Sequence, residues 1–102
     1  MTARTSLVET ARGRGYLTAG DGVTTYSVGY FVQVFQQYVG SVATLRFVHG
    51  RLTTLSEPET AKLMKGMWTE QGLVRLTLEL QDGRRVKILI NDSHGTFTAE
   101  AI

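Results

Sequence analysis

Chemistry in this chain of 102 residues without cysteine would have to start at His49, at His94 or in the run "NDSHG" at 91–95. A structural zinc site takes four ligands, so these two imidazoles would need two carboxylates beside them. The run "NDSHG" sets Asn91, Asp92, Ser93 and His94 in sequence, the residue types of a hydrolase. Side chains of consecutive residues in one turn diverge, however, whereas a nucleophile, its base and the group orienting that base must converge. The run therefore reads as a hydrogen-bonded Asx-type turn. Glu57, Glu59, Glu70 and Glu79 fall at a helix cap, a first helical turn, a loop and a solvent face, and form no acid/base pair. The glycines of "GRG" (13–15) and "GDG" (20–22) lack the strand-loop-helix context of a phosphate loop. These residues predict no enzyme, no metal and no cofactor.

The remaining chemistry is that of binding. From Ala11 to Ser56 the charges are Arg12, Arg14, Arg46 and Arg51 against Asp21, and the stretch from Val23 to Leu45, which contains "GYFVQVFQQYV", has no charge but the helixless polarity of Gln, Ser and Thr. Gln33, Gln36, Gln37 and the Ser and Thr residues around them would be costly in hydrocarbon, which argues against a membrane span. The net charge of +2 is too small to imply nucleic acid by itself. The total absence of cysteine and the lack of an apolar signal-peptide core in "MTARTSLVETARGRGYL" favour a cytoplasmic setting.

Those residues must be positioned by strands. The central stretch is rich in Val, Tyr, Phe and Thr and bounded by glycine turns. In "LVRLTLELQDGRRVKILI" (73–90) a three-residue loop with Gly83 in the left-handed position pairs Leu78 with Val86, Leu76 with Ile88 and Val74 with Ile90, and puts Glu79 opposite Arg85 on the solvent side. A turn at Asp21-Gly22 sets Leu17 opposite Tyr26, Gly15 opposite Val28 and Gly13 opposite Tyr30. A turn at Val39-Gly40 sets Val34 opposite Leu45, Val32 opposite Phe47, Phe35 opposite Thr44 and Phe31 opposite Val48. Three antiparallel strands follow, at 13–20, 23–38 and 41–49. Ser56, Pro58 and Glu59 form a capping-box pattern for a helix over 57–66, with Leu63, Met64 and Met67 on its buried side. "TFTAEAI" reads as a final edge strand, and glycines at 13, 15 and 29 permit strong coiling. The expectation is a mainly β chain, residues 1–102 forming one small antiparallel barrel or coiled sheet of six or seven strands with one short helix.

The segments "GRGYLTAGDGVTTYSVGY" (13–30) and "LTLELQDGRRVKILI" (76–90) resemble a pattern of small bacterial β proteins of unknown function, some carried on integron gene cassettes. The resemblance implies an all-β fold of bacterial origin and brings no catalytic residues.

On this register Tyr26, Val28, Tyr30, Val32 and Val34 face the core, and Phe31, Gln33, Phe35 and Gln37 face away, joined by Tyr16, Val42 and Val48. A sheet normally alternates apolar inside with polar outside, and this one does not. Three covers would satisfy it. The helix or the N-terminal "TSLVETA" could fold across the face. A second copy could pack there through Tyr16, Phe31, Gln33, Phe35 and Val48, sheet to sheet or edge to edge, giving a homodimer. Single-stranded nucleic acid could stack on the aromatics with Arg12, Arg14 and Arg46 on its phosphates. A further reading is a small apolar ligand held inside the barrel by Tyr26, Tyr30, Phe47 and Trp68, with Trp68 otherwise sealing the barrel end. The leading expectation is a non-enzymatic, self-associating binding module.

Overall fold

The computed structural model describes residues 2–99. In chain order the elements are β1 (Ala3–Thr18), β2 (Thr25–Val39), β3 (Val42–Leu52), α1 (Glu57–Gly66), β4 (Trp68–Thr69), β5 (Gly72–Leu73), β6 (Leu76–Glu79), β7 (Arg85–Ile90) and β8 (Thr96–Ala99). Six of them close an antiparallel barrel in the order β1-β2-β3-β8-β7-β6, and β4 and β5 form a separate two-stranded hairpin. After three consecutive hairpin-linked strands, β6 returns beside β1, which is Greek-key connectivity. The mainly β architecture with one short helix is the one the sequence predicts.

The barrel is filled by inward positions of every strand. Leu17, Val28, Val32, Val34, Val48, Leu76, Leu78, Ile88 and Phe97 are all essentially inaccessible to solvent. Tyr30 lies among them, and its hydroxyl accepts a hydrogen bond from the Gln81 backbone N–H at 2.9 Å, so its one polar atom is satisfied. Helix α1 caps the end of the barrel near the β1–β2 turn, where Leu63 and Met67 are buried and Met64 is half-buried. Its start is the predicted capping box: Ser56 Oγ accepts from Glu59 N, and Glu59 Oε1 accepts from Ser56 N.

Two hairpins have the predicted registers. Leu76 opposes Ile88, Leu78 opposes Val86 and Glu79 opposes Arg85, across a loop in which Gly83 has φ of +91°. Gly13, Gly15 and Leu17 oppose Tyr30, Val28 and Tyr26. The β1–β2 loop is longer than two residues, because Ala19 N donates to Thr24 O and Asp21 Oδ1 accepts from the N–H groups of Val23 and Thr24.

Four expectations are corrected. The β2–β3 turn is Gly40-Ser41, with Val39 opposite Val42 and Gly40 at φ of +62°, and Gln37 faces a bulge at Thr44 and Leu45. Together these shift the pairing by three residues, so Val34 opposes Val48, and Phe35 opposes Phe47. The first strand starts at Ala3, ten residues before position 13, with an extra residue, Val8, between Leu7 and Glu9. Val74 does not pair with Ile90: it leaves the barrel and donates its N–H to Met67 O at 2.7 Å. Finally, β8 is no edge, since it pairs with both β3 and β7 and closes the barrel; the rest of "TFTAEAI", 100–102, lies outside the described residues.

Candidate functional site

The three first strands have 16, 15 and 11 residues, against four, six and four for β6, β7 and β8. Consequently β6 pairs with β1 only at 16–18, and among the described residues β8 pairs with β3 only from Val48 to Arg51. The remainder of β1, β2 and β3 extends past the closed barrel as a three-stranded arm, at the opposite end from α1.

The cross-strand pairs set out the arm's two faces row by row. On the outer face the rows are Ala3–Val39–Val42, Thr5–Gln37–Thr44, Leu7–Phe35–Phe47, Thr10–Gln33–His49 and Arg12–Phe31–Arg51. The Phe35 and Phe47 rings stack at 5.5 Å between centroids, and His49 meets both edge-on at 6.0 and 5.4 Å. Leu7 is 52% exposed and Val42 62%. On the reverse face lie Ser6–Gln36–Arg46 and Arg4–Tyr38–Ala43, with the Arg4 guanidinium over the Tyr38 ring at 4.9 Å. The arm is thus amphipathic, and its first four outer rows hold no aspartate, glutamate, lysine or arginine.

An open strand edge adjoins that face. Arg14 N donates to the Gln81 side chain, while the Gly29 N–H and C=O are taken up by Thr54 Oγ1 and Thr53 N. The pair Arg14–Gly29 is therefore not hydrogen-bonded, and the alternation of an antiparallel ladder turns the backbone groups of Arg12, Thr10, Leu7, Thr5 and Ala3 away from β2. Over 10–14 the hairpin at 81–84 lies alongside this edge, held there by Arg84, whose guanidinium reaches Glu9 at 3.1 Å and Asp82 at 2.7 Å. Over 3–7 nothing among the described residues pairs with it.

Phe31, Gln33 and Phe35 occupy the outward positions that the sequence assigns them. Tyr16 also faces outward, 56% exposed, but two rows beyond Phe31 in the pair Tyr16–Ser27. Val48 does not belong to this surface: the three-residue shift turns it into the core, 1% exposed, and puts Phe47 outside in its place. For the same reason Arg46 sits on the reverse face, and Arg51 takes its place beside Arg12, whose guanidinium lies over Phe31 at 5.0 Å. Neither α1 nor the N-terminal segment crosses the aromatic face, since α1 caps the other end and "TSLVETA" is the arm's edge strand.

The four aromatic residues read as a ligand pocket are dispersed. Tyr30 is in the core, Tyr26 is half-buried, Phe47 is outside, and Trp68 stands 70% exposed beside α1; Leu63 and Met67 seal the barrel end instead. Leu7, Phe47 and Arg51 are the surface residues that sequence reasoning missed. The alternation of β3 carries a signal for the last two only once its bulge is known.

The turn at 91–95 is built as an Asx-type turn. Asp92 accepts hydrogen bonds from the hydroxyl of Thr96 and from the N–H groups of His94 and Thr96, and His94 Nδ1 lies 3.0 Å from Glu57. The Thr96 hydroxyl first, and then the backbone donors, hold the Asp92 carboxyl below its ordinary value of 3.8. A depressed folded-state value means that this stabilisation is full above the unfolded value and fades as the pH falls through the folded one. Asp92→Ala should therefore lower the urea midpoint at neutral pH, and the difference from wild type should shrink between about pH 5 and about pH 2. A constant difference would contradict it. No group of three or more His, Asp or Glu residues capable of holding a metal ion occurs among the described residues, and no described helix is long and apolar enough to cross a membrane. Comparison of the chain with protein-family models, with curated proteins and with solved structures finds no match.

Proposed function

We propose that this protein is a non-enzymatic assembly module that associates with a second copy of itself through the outer face of the β1–β2–β3 arm. The row Leu7–Phe35–Phe47 carries the reading: three large apolar side chains aligned across three strands, with no described element of the chain over them. A second copy suits the surface because the four outer rows from Ala3 to Thr10 hold no aspartate, glutamate, lysine or arginine, so two copies meet without like-charge repulsion. The cysteine-free composition suits an association in a reducing compartment such as the cytoplasm.

Size sets the expected strength. Four rows each about 6.7 Å wide and three strands each about 4.8 Å wide cover roughly 27 by 14 Å, or about 390 Å² in plan. That is well below the roughly 800 Å² per partner of a standard stable interface, even before the open β1 edge is added. The dimer should accordingly be concentration-dependent, with a dissociation constant between about 10 µM and about 1 mM. Sedimentation velocity across that range should show the mass rise from 11.3 kDa toward twice that value; a single 11.3 kDa species throughout would refute it.

One observation favours a second reading, single-stranded nucleic acid. Arg12 and Arg51 flank Phe31 within one row, and Arg14 follows in the next, so the barrel-proximal part of the same face is cationic and aromatic. Three arginines give a salt slope of about −2 for single strands. An oligothymidine titration at two ionic strengths would return that slope if the reading holds, and no binding at low salt would eliminate it. The barrel interior, by contrast, is occupied by its own side chains, and no observation favours a ligand there.

A further inference from the structure

At the far end of the molecule, the exposed side of α1 and the β4–β5 hairpin border a cleft of about 700 Å³. Pro58, Ala61, Met64 and Trp68 give it an apolar lining, which Lys62, Lys65 and Ser93 complete. Trp68 is the protein's sole tryptophan and is 70% exposed, an unusual position for so large an apolar surface.

Both charged residues that line the cleft, Lys62 and Lys65, are cationic. Of the acidic residues on α1, Glu59 is held by Ser56 N and Oγ at 3.1 and 2.8 Å, and Glu57 by His94 at 3.0 Å. Lys62 and Lys65, three residues apart and so on one side of the helix, make no ion pair among the described residues. The groove therefore presents apolar side chains beside two lysines that make no ion pair among the described residues.

We propose that this cleft is a docking groove for an acidic peptide segment, with an apolar side chain lodged against Trp68 and Met64 and carboxylates meeting Lys62 and Lys65. Charge complementarity selects the occupant. Two lysines are too few to hold a nucleic-acid backbone or an anionic membrane firmly, since each contributes only about 1 kcal/mol at a lipid surface. A small ligand needs most of its own surface enclosed, whereas this cleft opens to solvent along its length and suits a chain lying across it. The groove is at the opposite end from the arm, so its use does not depend on self-association.

The sole tryptophan reports occupancy directly. The probe is a blocked synthetic hexapeptide of alternating aspartate and leucine carrying a fluorescein, titrated at low salt and read by both Trp68 emission and fluorescein anisotropy. Saturable binding with a blue shift of Trp68 emission is expected, weakened at least tenfold by Lys62→Glu with Lys65→Glu and lost on exchange of aspartate for asparagine in the peptide. Phe35→Glu, a substitution in the arm at the other end of the molecule, should leave this binding unchanged whether or not the protein self-associates. Absence of binding, equal binding of the uncharged peptide, or a response to phosphatidylserine vesicles in place of the peptide would each overturn the proposal. Trp68→Ala, read by anisotropy alone, should weaken binding; unchanged affinity would also overturn it.

Discussion

Phe35→Glu should leave a folded protein that no longer associates. Phe35 is the middle member of the Leu7–Phe35–Phe47 row, so a carboxylate there would be buried against apolar side chains of a second copy without a partner. The apparent dissociation constant should rise at least tenfold, about 1.4 kcal/mol, and in practice pass beyond the measurable range. Within one chain the side chain is only half-buried and its main loss is the stacking on Phe47, about 0.5–1.5 kcal/mol. Circular dichroism should therefore be unchanged. Val23→Glu supplies the control: Val23 is 82% exposed in the β1–β2 loop, at the other end of the strands, and its replacement should leave association as it is.

Gly15→Ala is expected to be the most damaging small substitution in the barrel. A methyl at Gly15 would overlap the carbonyl oxygen of Glu79, while only touching the Tyr30 ring at ordinary contact distance. Glu79 pairs with the adjacent Tyr16, so the obstacle is backbone in the β1–β6 seam that closes the barrel, and backbone there cannot step aside. The loss should be about 3 kcal/mol, the upper part of the overpacking range and a large fraction of the roughly 5–15 kcal/mol available to a domain of this size. Gly66→Ala gives the contrast. Nothing lies within 4 Å of a methyl at that position in the last turn of α1, so the change should be neutral or stabilising by up to about 1 kcal/mol. Urea denaturation of the two variants measures both, and equal midpoints would show that the seam is looser than described.

Where the chain's registers are legible in the sequence, one face of the hairpin is wholly apolar and the other polar. In the 76–90 hairpin a slip of one residue would bury Lys87 and expose Ile88, so only one alignment survives, and Gly83 marks the loop that produces it. The β2–β3 pair lacks that contrast. Phe47 and Val48 are adjacent and both apolar, so either can be assigned to the core without burying a charge, and the bulge at Thr44 and Leu45 has no glycine or proline to announce it. That ambiguity misplaces Val48, Phe47 and Arg46 at one stroke while leaving Phe31, Gln33 and Phe35 correctly outward, because β2 itself runs without interruption. The strand nature of 3–12 is hidden similarly: the extra residue Val8 breaks the alternation through Leu7 and Glu9. Trp68 illustrates a different limit, since its exposure follows from the β4–β5 hairpin, an element of two residues per strand that periodicity cannot detect.

The most direct measurement is a map of backbone amide NMR shifts recorded as the protein is diluted from about 1 mM to about 10 µM, the interval in which a surface of this size should dissociate. Shifts concentrated in 3–10, 33–37 and 42–49, with the 57–73 region still, are the result that self-association through the arm predicts. Shifts absent throughout, or confined to α1 and the β4–β5 hairpin, would contradict it.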